Sequence, residues 1–167
     1  MSDPAAIEAR VLTQLEALGV SYERLPIDPD FADTAQFCAR YGVPVENSAN
    51  TIVIASKGSV ESRRFCVCVV GADRRLDVNH TVRSLLGGAR VSFASAEETR
   101  ELTGMQIGGV TVLGLPKDLP IYADAALLER PYIVIGDGGR SAKLKLAPQL
   151  LERLPGASLV AGLGIPR

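Results

Sequence analysis

The sequence predicts an α+β fold: a single domain over residues 1–167, with a curled mixed, largely antiparallel β-sheet flanked by helices. Apolar residues at helical spacing and short β-branched runs follow one another in mixed order along the chain. Two neighbouring β-branched runs are separated by a short turn, which favours an antiparallel hairpin. The 167 residues are 47% hydrophobic, so the chain can bury one core without disulfides or a structural metal.

The first predicted helix begins within residues 2–4, because Pro4 is tolerated in the first turn of a helix. Gly19 ends it as a C-terminal cap. Its apolar residues recur at about helical spacing: Ile7, Val11, Leu15 and Leu18. A short strand over residues 22–25 follows and is stopped by Pro26.

The next segments also have clear local patterns. A second helix over residues 35–41 takes Asp33 or Thr34 as its N-cap and ends at Gly42. The central hairpin consists of two strands and the turn that joins them: residues 51–55, 64–70 and 56–59.

Further helices and strands are predicted towards the carboxyl terminus. A helix over residues 76–86 ends at a Gly-Gly pair, and residues 91–94 form a strand. Residues 95–98 fit a capping box that opens a helix to about Thr103. The last elements are four strands and a short helix after Pro148, the strands covering residues 120–123, 132–135, 141–146 and 159–160.

Lysine and leucine alternate in the strand over residues 141–146. Lys143 and Lys145 alternate there with Leu144 and Leu146. Because side chains in a strand alternate between its two faces, we expect both lysines to point away from the buried face.

Charge is balanced over the whole chain but not along it. The 18 Lys and Arg residues against 19 Asp and Glu residues give no global attraction for nucleic acid or anionic membrane. Residues 1–30 nevertheless have six acids and two bases, whereas residues 136–167 have two acids and five bases. The basic segment is either an ordinary solvated surface or a local site for an anionic ligand.

The single histidine and three cysteines exclude several kinds of site. Cys66 and Cys68 share one strand face, but no second Cys or His pair accompanies them, so core positions are expected for them and for Cys38. His80 is the only histidine, which argues against a histidine-rich metal site and a Ser-His-Asp hydrolase. We expect no metal and no cofactor. Reduced thiols, the lack of a signal peptide and the lack of a long apolar run predict a cytoplasmic protein.

Two glycine-rich segments have the composition of ligand loops. Residues 104–116 contain four glycines and little charge, without the Gly-Lys-Ser/Thr of a Walker A loop. They form either a chain of turns or a loop whose backbone N–H groups hold a carbonyl oxygen or an oxyanion. Residues 136–141 form either a hairpin connection or, with Arg140 and Lys143 close by, a phosphate site.

These segments, in this order, resemble the YbaK/ProX family of aminoacyl-tRNA deacylases, which is related to the editing domain of bacterial prolyl-tRNA synthetases. The resemblance covers about residues 5–163. The matching segments are Thr51-Ile-Val-Ile, Arg75-Leu-Asp, Leu85-Leu-Gly-Gly, Thr103-Gly104, Gly108-Gly109, Leu119-Pro120, Asp124-Ala125 and Gly136-Asp-Gly-Gly-Arg140-Ser141. No single segment is specific, whereas the ordered set is.

The resemblance implies hydrolysis of the ester between a wrong amino acid and the terminal ribose of tRNA. In that family a water attacks the ester carbonyl, helped by substrate hydroxyls and backbone donors. The residues expected to act in catalysis here are Asn50, Gly108 and Gly109. Those expected to bind substrate are Thr51, Gly104, Asp124, Gly136, Gly138, Arg140 and Lys143. The expected partner is the 3′ end of an aminoacyl-tRNA, with or without an aminoacyl-tRNA synthetase, and no membrane is involved.

The sequence departs from the family pattern at two positions. Many members have a lysine immediately before the Thr of the central strand, where this chain has Asn50. Lys57 cannot replace that lysine, because seven strand residues span roughly 23 Å. Many members also have a proline where this chain has Val112.

Three functions remain open. The first is a free-standing deacylase in which Asn50 and the Gly108–Gly109 backbone contact the ester, Asp124 supports the loop or meets the amino group, and Arg140 and Lys143 meet RNA phosphate. The second, which the departures favour, is a binding module for an aminoacyl-tRNA end, a free amino-acid derivative or a synthetase. The third is a hydrolase of another small ester or amide.

Overall fold

The protein is described here by a computed structural model that covers residues 3–58 and 63–167. Two predicted boundaries lie outside these residues: the helix start at Ser2 and the end of the hairpin turn at Ser59. The helices are α1 Pro4–Leu18, α2 Thr34–Tyr41, α3 Arg83–Leu85, α4 Ala96–Thr103 and α5 Leu150–Arg153. The strands are β1 Tyr22–Pro26, β2 Ala49–Ser56, β3 Phe65–Gly71, β4 Arg74–Leu76, β5 Val91–Phe93, β6 Ile121–Asp124, β7 Ile133–Gly136, β8 Ala142–Leu146, β9 Ala157–Val160 and β10 Gly164–Pro166.

The predicted α+β class is confirmed, and the strands pair in three groups. The largest sheet has the order β5-β2-β3-β6-β9, with parallel pairing of β3 with β6 and of β6 with β9. A second, antiparallel sheet has the order β1-β8-β7, and β4 pairs with β10. A bridge between Ser48, the residue before β2, and Val134 of β7 links the two larger sheets. Most strand pairs are antiparallel, as the sequence predicts.

Helix α1 forms where its local pattern predicts it. The Asp3 carboxylate accepts a hydrogen bond from the Ala5 amide at 3.1 Å, which caps the first turn. Gly19 adopts a φ of 65°, the left-handed conformation that ends a helix and that glycine tolerates best. The predicted apolar face is buried at Ile7, Val11 and Leu15, which pack into the core between the sheets.

The predicted helix over residues 76–86 is partly wrong. Leu76 belongs to β4, where it pairs with Gly164 of β10. Helical structure begins only at Val78, as a single π-helical segment over Val78–Val82 that continues into α3. A strand partner about ninety residues away in the sequence therefore overrides the local helical pattern at Leu76.

The two faces of β3 belong to different parts of the core. Val67 and Val69 pack with α1 and the second sheet. Cys66 and Cys68 point to the opposite face and are fully buried among apolar side chains. Cys38 on α2 is also buried, beside Phe37. The prediction that all three cysteines are core residues is confirmed.

Helix α2 covers the outer face of the second sheet, where Phe37 packs against Val134 of β7. Helix α2 therefore covers the side chains on the outer face of β8. Among the described residues, no helix is long and apolar enough to cross a membrane.

Candidate functional site

A cleft of about 380 Å³ lies where the two larger sheets meet. One wall is β2 and the other is formed by β7 and β8, while the start of α2 and the loop after α4 complete it. The structure brings five predicted site residues to this cleft: Asn50, Thr51, Gly108, Gly136 and Lys143. They come from four separate segments of the chain, so the cleft is a product of the tertiary fold.

Asn50 and Thr51 form the polar part of the β2 wall. The Asn50 side-chain oxygen accepts a hydrogen bond from the Thr34 hydroxyl at 2.5 Å. This contact fixes the amide and leaves its N–H₂ donors for another partner. The Thr51 hydroxyl is buried and has no hydrogen-bond partner among the residues that the structure describes. The Asn50 N–H₂ group and the Thr51 hydroxyl therefore both have unused hydrogen-bonding capacity. Leaving a buried polar group without a partner costs free energy.

The two glycine-rich loops pack directly against each other. A Cβ placed on Gly109 would lie 2.3 Å from the carbonyl oxygen of Gly139, and one placed on Gly136 would lie 2.7 Å from that of Val110. The Gly138 amide donates a hydrogen bond to the Gly109 carbonyl at 2.8 Å. Only glycine permits such a close approach of two backbones.

The backbone amide of Gly109, one of the two loop amides predicted to act on the ester, already has a hydrogen-bond partner. It donates to the Gln106 carbonyl at 2.9 Å. The amide of Gly108 makes no comparable bond within residues 3–58 and 63–167. Gly108 lines the cleft and has a φ of 91°, a conformation that suits glycine.

Arg140 is held by protein groups. Its guanidinium donates to the Pro29 carbonyl at 2.9 Å, to the Ile107 carbonyl and to the Asp33 carboxylate at 3.3 Å. These bonds tie the loop after α4 to the segment before α2. In this arrangement Arg140 positions the cleft wall.

Lys143 was expected to point away from the buried face of β8, but the face on which it lies is also buried. Lys143 is on the face of β8 opposite Leu144, as the alternation predicts, but α2 and the loop after α4 cover that face. Its side chain is buried, with 7% exposure, and its ammonium donates to the Gly108 carbonyl at 2.7 Å. Burial lowers the pKa of Lys143 to about 8. Lys145, two residues on, is less buried and lies over the Tyr132 ring.

Several predicted site residues lie outside the cleft lining. Gly104 ends α4 with a φ of 78°, next to Ile7 of α1. Gly138 also packs on Ile7. Asp124 is buried and accepts hydrogen bonds from the Ala126 amide at 3.2 Å and the Gly164 amide at 3.1 Å, so it joins β6 to the β10 segment.

Most of the other residues that line the cleft were not predicted from the sequence as site residues, among them Thr34, Phe93 and Ile107. Thr34 contacts Asn50, and its only local pattern is that of a helix cap. Phe93 and Ile107 stand at the cleft with 59% and 54% exposure. Single exposed apolar side chains are common on protein surfaces. Nothing in the local sequence therefore marks Phe93 and Ile107 as site residues.

His80 does not line this cleft and pairs with Asp77 at 3.1 Å on the surface. Among the described residues there is no group of three or more His, Cys, Asp or Glu side chains that could hold a metal ion. The polar side chains that line the cleft carry amide, hydroxyl and ammonium groups and the carboxylate of Asp33.

Comparison with known proteins assigns the chain to a family. The model of the aminoacyl-tRNA editing domain matches residues 28–154, well over half of the chain. The chain belongs to the aminoacyl-tRNA editing domain family. This editing domain is 27% identical to YwhH of Bacillus subtilis (strain 168) over 115 residues, which are 65% of this chain and 72% of YwhH.

Two further comparisons concern proteins whose names include an activity. The multifunctional Ser/Thr-tRNA deacylase ProXp-y of Escherichia coli (strain K12) is 30% identical over 89 residues, about half of each chain. A crystal structure described as a candidate trans-editing enzyme for prolyl tRNA synthetase is 27% identical, with a TM-score of 0.74. The superposition covers 93% of this editing domain and 95% of that chain.

Proposed function

We propose that residues 1–167 act as a free-standing aminoacyl-tRNA deacylase, which hydrolyses the ester between a wrong amino acid and the terminal ribose of tRNA. The observation that supports this most directly is the cleft itself: an editing-domain fold brings Asn50, Thr51, Gly108 and Lys143 to one cavity. Such a reaction belongs in the cytoplasm, and the partner is the 3′ end of a mischarged tRNA, with or without a synthetase.

The β2 wall holds the substrate in this proposal. The Asn50 amide, oriented by Thr34, donates to the acyl carbonyl or to the terminal ribose. The N–H of Gly108 offers a backbone donor for the oxyanion that forms when water attacks the carbonyl. Gly109 contributes through its close contact with Gly139 and Arg140 through its bonds to the loop, so both act on loop position. Gly104, Gly138 and Asp124 support the fold around the site.

The lining of the cleft suits a small amino acid with a polar group. Hydroxyl groups line it at Thr34, Ser48, Thr51 and Thr99, among apolar side chains. A site built to hydrogen-bond a substrate hydroxyl discriminates strongly against an analogue that lacks it. The name of ProXp-y, a Ser/Thr-tRNA deacylase, agrees with this class, so we propose seryl and threonyl esters as first substrates.

Phe93 is the proposed platform for the terminal adenine. Its ring is 59% exposed at the cleft. Stacking of a base on an aromatic ring contributes roughly 1–3 kcal/mol. A base held there would place the attached ribose at the cleft, within which the acyl group would lie.

A panel of mischarged tRNAs tests the proposal. The tRNAs carry serine, threonine, alanine and larger amino acids, and release of the amino acid is compared with the uncatalysed rate. We expect accelerated release of the small hydroxylated amino acids and a loss of rate in Asn50→Ala. Release at the uncatalysed rate from every member of the panel would contradict the proposal.

A binding module is the second candidate function, because the lysine expected before Thr51 is Asn50 in this chain. Such a module would hold an aminoacyl-tRNA end or a synthetase without turnover. The substitution Asn50→Lys distinguishes the two. Turnover that appears only in Asn50→Lys favours the binding module, whereas turnover in the unmodified protein favours the deacylase.

A further inference from the structure

Lys143 is a buried cation with unused hydrogen-bonding capacity inside the cleft. Its ammonium has three N–H donors, and one of them binds the Gly108 carbonyl at 2.7 Å. Within residues 3–58 and 63–167 it has no other hydrogen-bond partner and no carboxylate within 4.0 Å. The ring of Phe37 lies 5.6 Å from the ammonium.

The charged and titratable groups around Lys143 do not neutralise it. Asp137 and Asp33 attract the ammonium, Arg140 repels it, and Cys38 lies nearby on α2. Each of the two aspartates is also bound elsewhere: Asp137 accepts from the Gly139 amide at 2.9 Å and Asp33 from Arg140 at 3.3 Å. A buried charge is costly when its hydrogen bonds are incomplete. The position of Lys143 in a cavity indicates that a ligand completes them.

The cleft also explains why Asn50 need not be charged. Asn50 on β2 and Lys143 on β8 line the same cavity, so a positive charge reaches the site from the opposite wall. The lysine expected before Thr51 on β2 is absent, but the cleft still contains an ammonium group, which belongs to Lys143 on β8.

We propose that Lys143 is a catalytic residue that donates a hydrogen bond to the carbonyl oxygen of the aminoacyl ester. This inference rests on the proposed deacylase function. Water adds to the carbonyl carbon, and the π electron pair of the C=O bond moves to the oxygen that Lys143 faces. Collapse of the tetrahedral intermediate breaks the bond to the ribose oxygen, which receives a proton that originates from the water. The products are the amino acid and a free ribose hydroxyl, and the ammonium keeps its protons throughout.

Kinetics of matched variants test the role in catalysis. In Lys143→Met we expect kcat to fall about 100-fold, the usual effect of removing one oxyanion donor, with KM changed less than about threefold. Lys143→Arg keeps the charge and should recover at least part of that loss. Lys145→Met, on the same strand face, is the control and should keep the wild-type kcat. Equal kcat values in Lys143→Met and Lys145→Met would overturn the inference.

The pH profile gives a second kinetic readout. Because burial places the pKa of Lys143 near 8 in the free protein, the ratio of the wild-type kcat/KM to the uncatalysed rate should fall as pH rises through about 8. Lys143→Arg stays protonated and should lack this fall. A wild-type profile identical to that of Lys143→Arg contradicts a catalytic ammonium.

A binding experiment separates this inference from the proposed function. The chain has four lysines, Lys57, Lys117, Lys143 and Lys145, so NMR of lysine-labelled protein can follow each one. A non-hydrolysable amide analogue of seryl-adenosine should raise the pKa of Lys143 and leave that of Lys117 unchanged. If the wild type hydrolyses no tRNA of the panel, the deacylase function fails, and this titration alone decides whether Lys143 binds the acyl carbonyl. No change at Lys143 up to millimolar analogue would overturn that binding.

Discussion

Lys143 is both buried and positively charged, so its effect on stability depends on pH. The pKa is about 8 in the folded protein and 10.5 for an ordinary lysine side chain. Between these values the unfolded chain binds more protons than the folded one, so the free energy of unfolding rises with pH. Below about pH 8 the cost of burying the charge is fully present.

The substitution Lys143→Met should remove this pH dependence. From pH 7 to 10.5, the wild type should gain roughly 2–3 kcal/mol relative to Lys143→Met, since one pKa unit corresponds to about 1.4 kcal/mol. Loss of the hydrogen bond to Gly108 changes the free energy of unfolding of Lys143→Met by the same amount at every pH. It therefore does not affect how the difference from the wild type varies with pH. Urea unfolding at a series of pH values measures it. Lys145→Met should follow the wild type, and parallel curves for wild type and Lys143→Met would refute the expected linkage.

The sequence predicts on which face of β8 Lys143 lies but does not predict that this face is buried. Alternation along β8 correctly separates Lys143 from Leu144. This alternation contains no information about what covers the face on which Lys143 lies, because α2 is about a hundred residues away in the sequence. The same holds for the pair of Thr34 and Asn50, which only the tertiary fold brings into contact.

Elements with local signals were predicted well. Caps and apolar spacing identify α1, α2 and α4, and the β-branched runs identify the β2–β3 hairpin. The strands β4 and β10 were missed, because each has three residues and exists only through its partner. The glycine-rich loops were recognised as unusual, but their mutual packing was not predicted, since no local pattern specifies which loops approach each other.

The contact between the two glycine-rich loops predicts a position-dependent response to alanine. In Gly109→Ala the new Cβ would lie 2.3 Å from a backbone carbonyl oxygen, so the loops must move apart. We expect a loss of about 1–3 kcal/mol in the free energy of unfolding, together with a lower rate of deacylation. Thermal or urea unfolding measures the stability change.

Gly139→Ala is the matched control for that substitution. Its new Cβ would meet only the end of the Glu8 side chain, at 2.4 Å, and this flexible side chain can rotate away. Gly139→Ala should therefore be clearly less destabilising than Gly109→Ala. Equal losses in the two variants would show that the backbone contact is not what constrains the loops.

At the scale of the whole molecule, the near-zero net charge restricts how a tRNA could bind. The formal net charge is −1, and Arg140, in the basic carboxyl-terminal segment, is bonded to protein groups. Lys143 is enclosed in the cleft. Among the described residues that line the cleft, Lys143 is the only Lys or Arg, so we expect recognition to concentrate on the terminal aminoacyl-adenosine.

This arrangement predicts weak salt dependence of tRNA binding. Each phosphate neutralised by a protein contributes about −0.7 to −0.9 to the slope of log K against log salt concentration. We expect a slope of about −1 to −2 for a tRNA bearing a non-hydrolysable aminoacyl end, measured by fluorescence anisotropy between 50 and 300 mM salt. The isolated aminoacyl-adenosine analogue, which lacks the phosphates, should bind almost independently of salt. A slope steeper than about −5 for the tRNA would mean that an extended basic surface contacts the tRNA body, and recognition would then not be confined to the cleft.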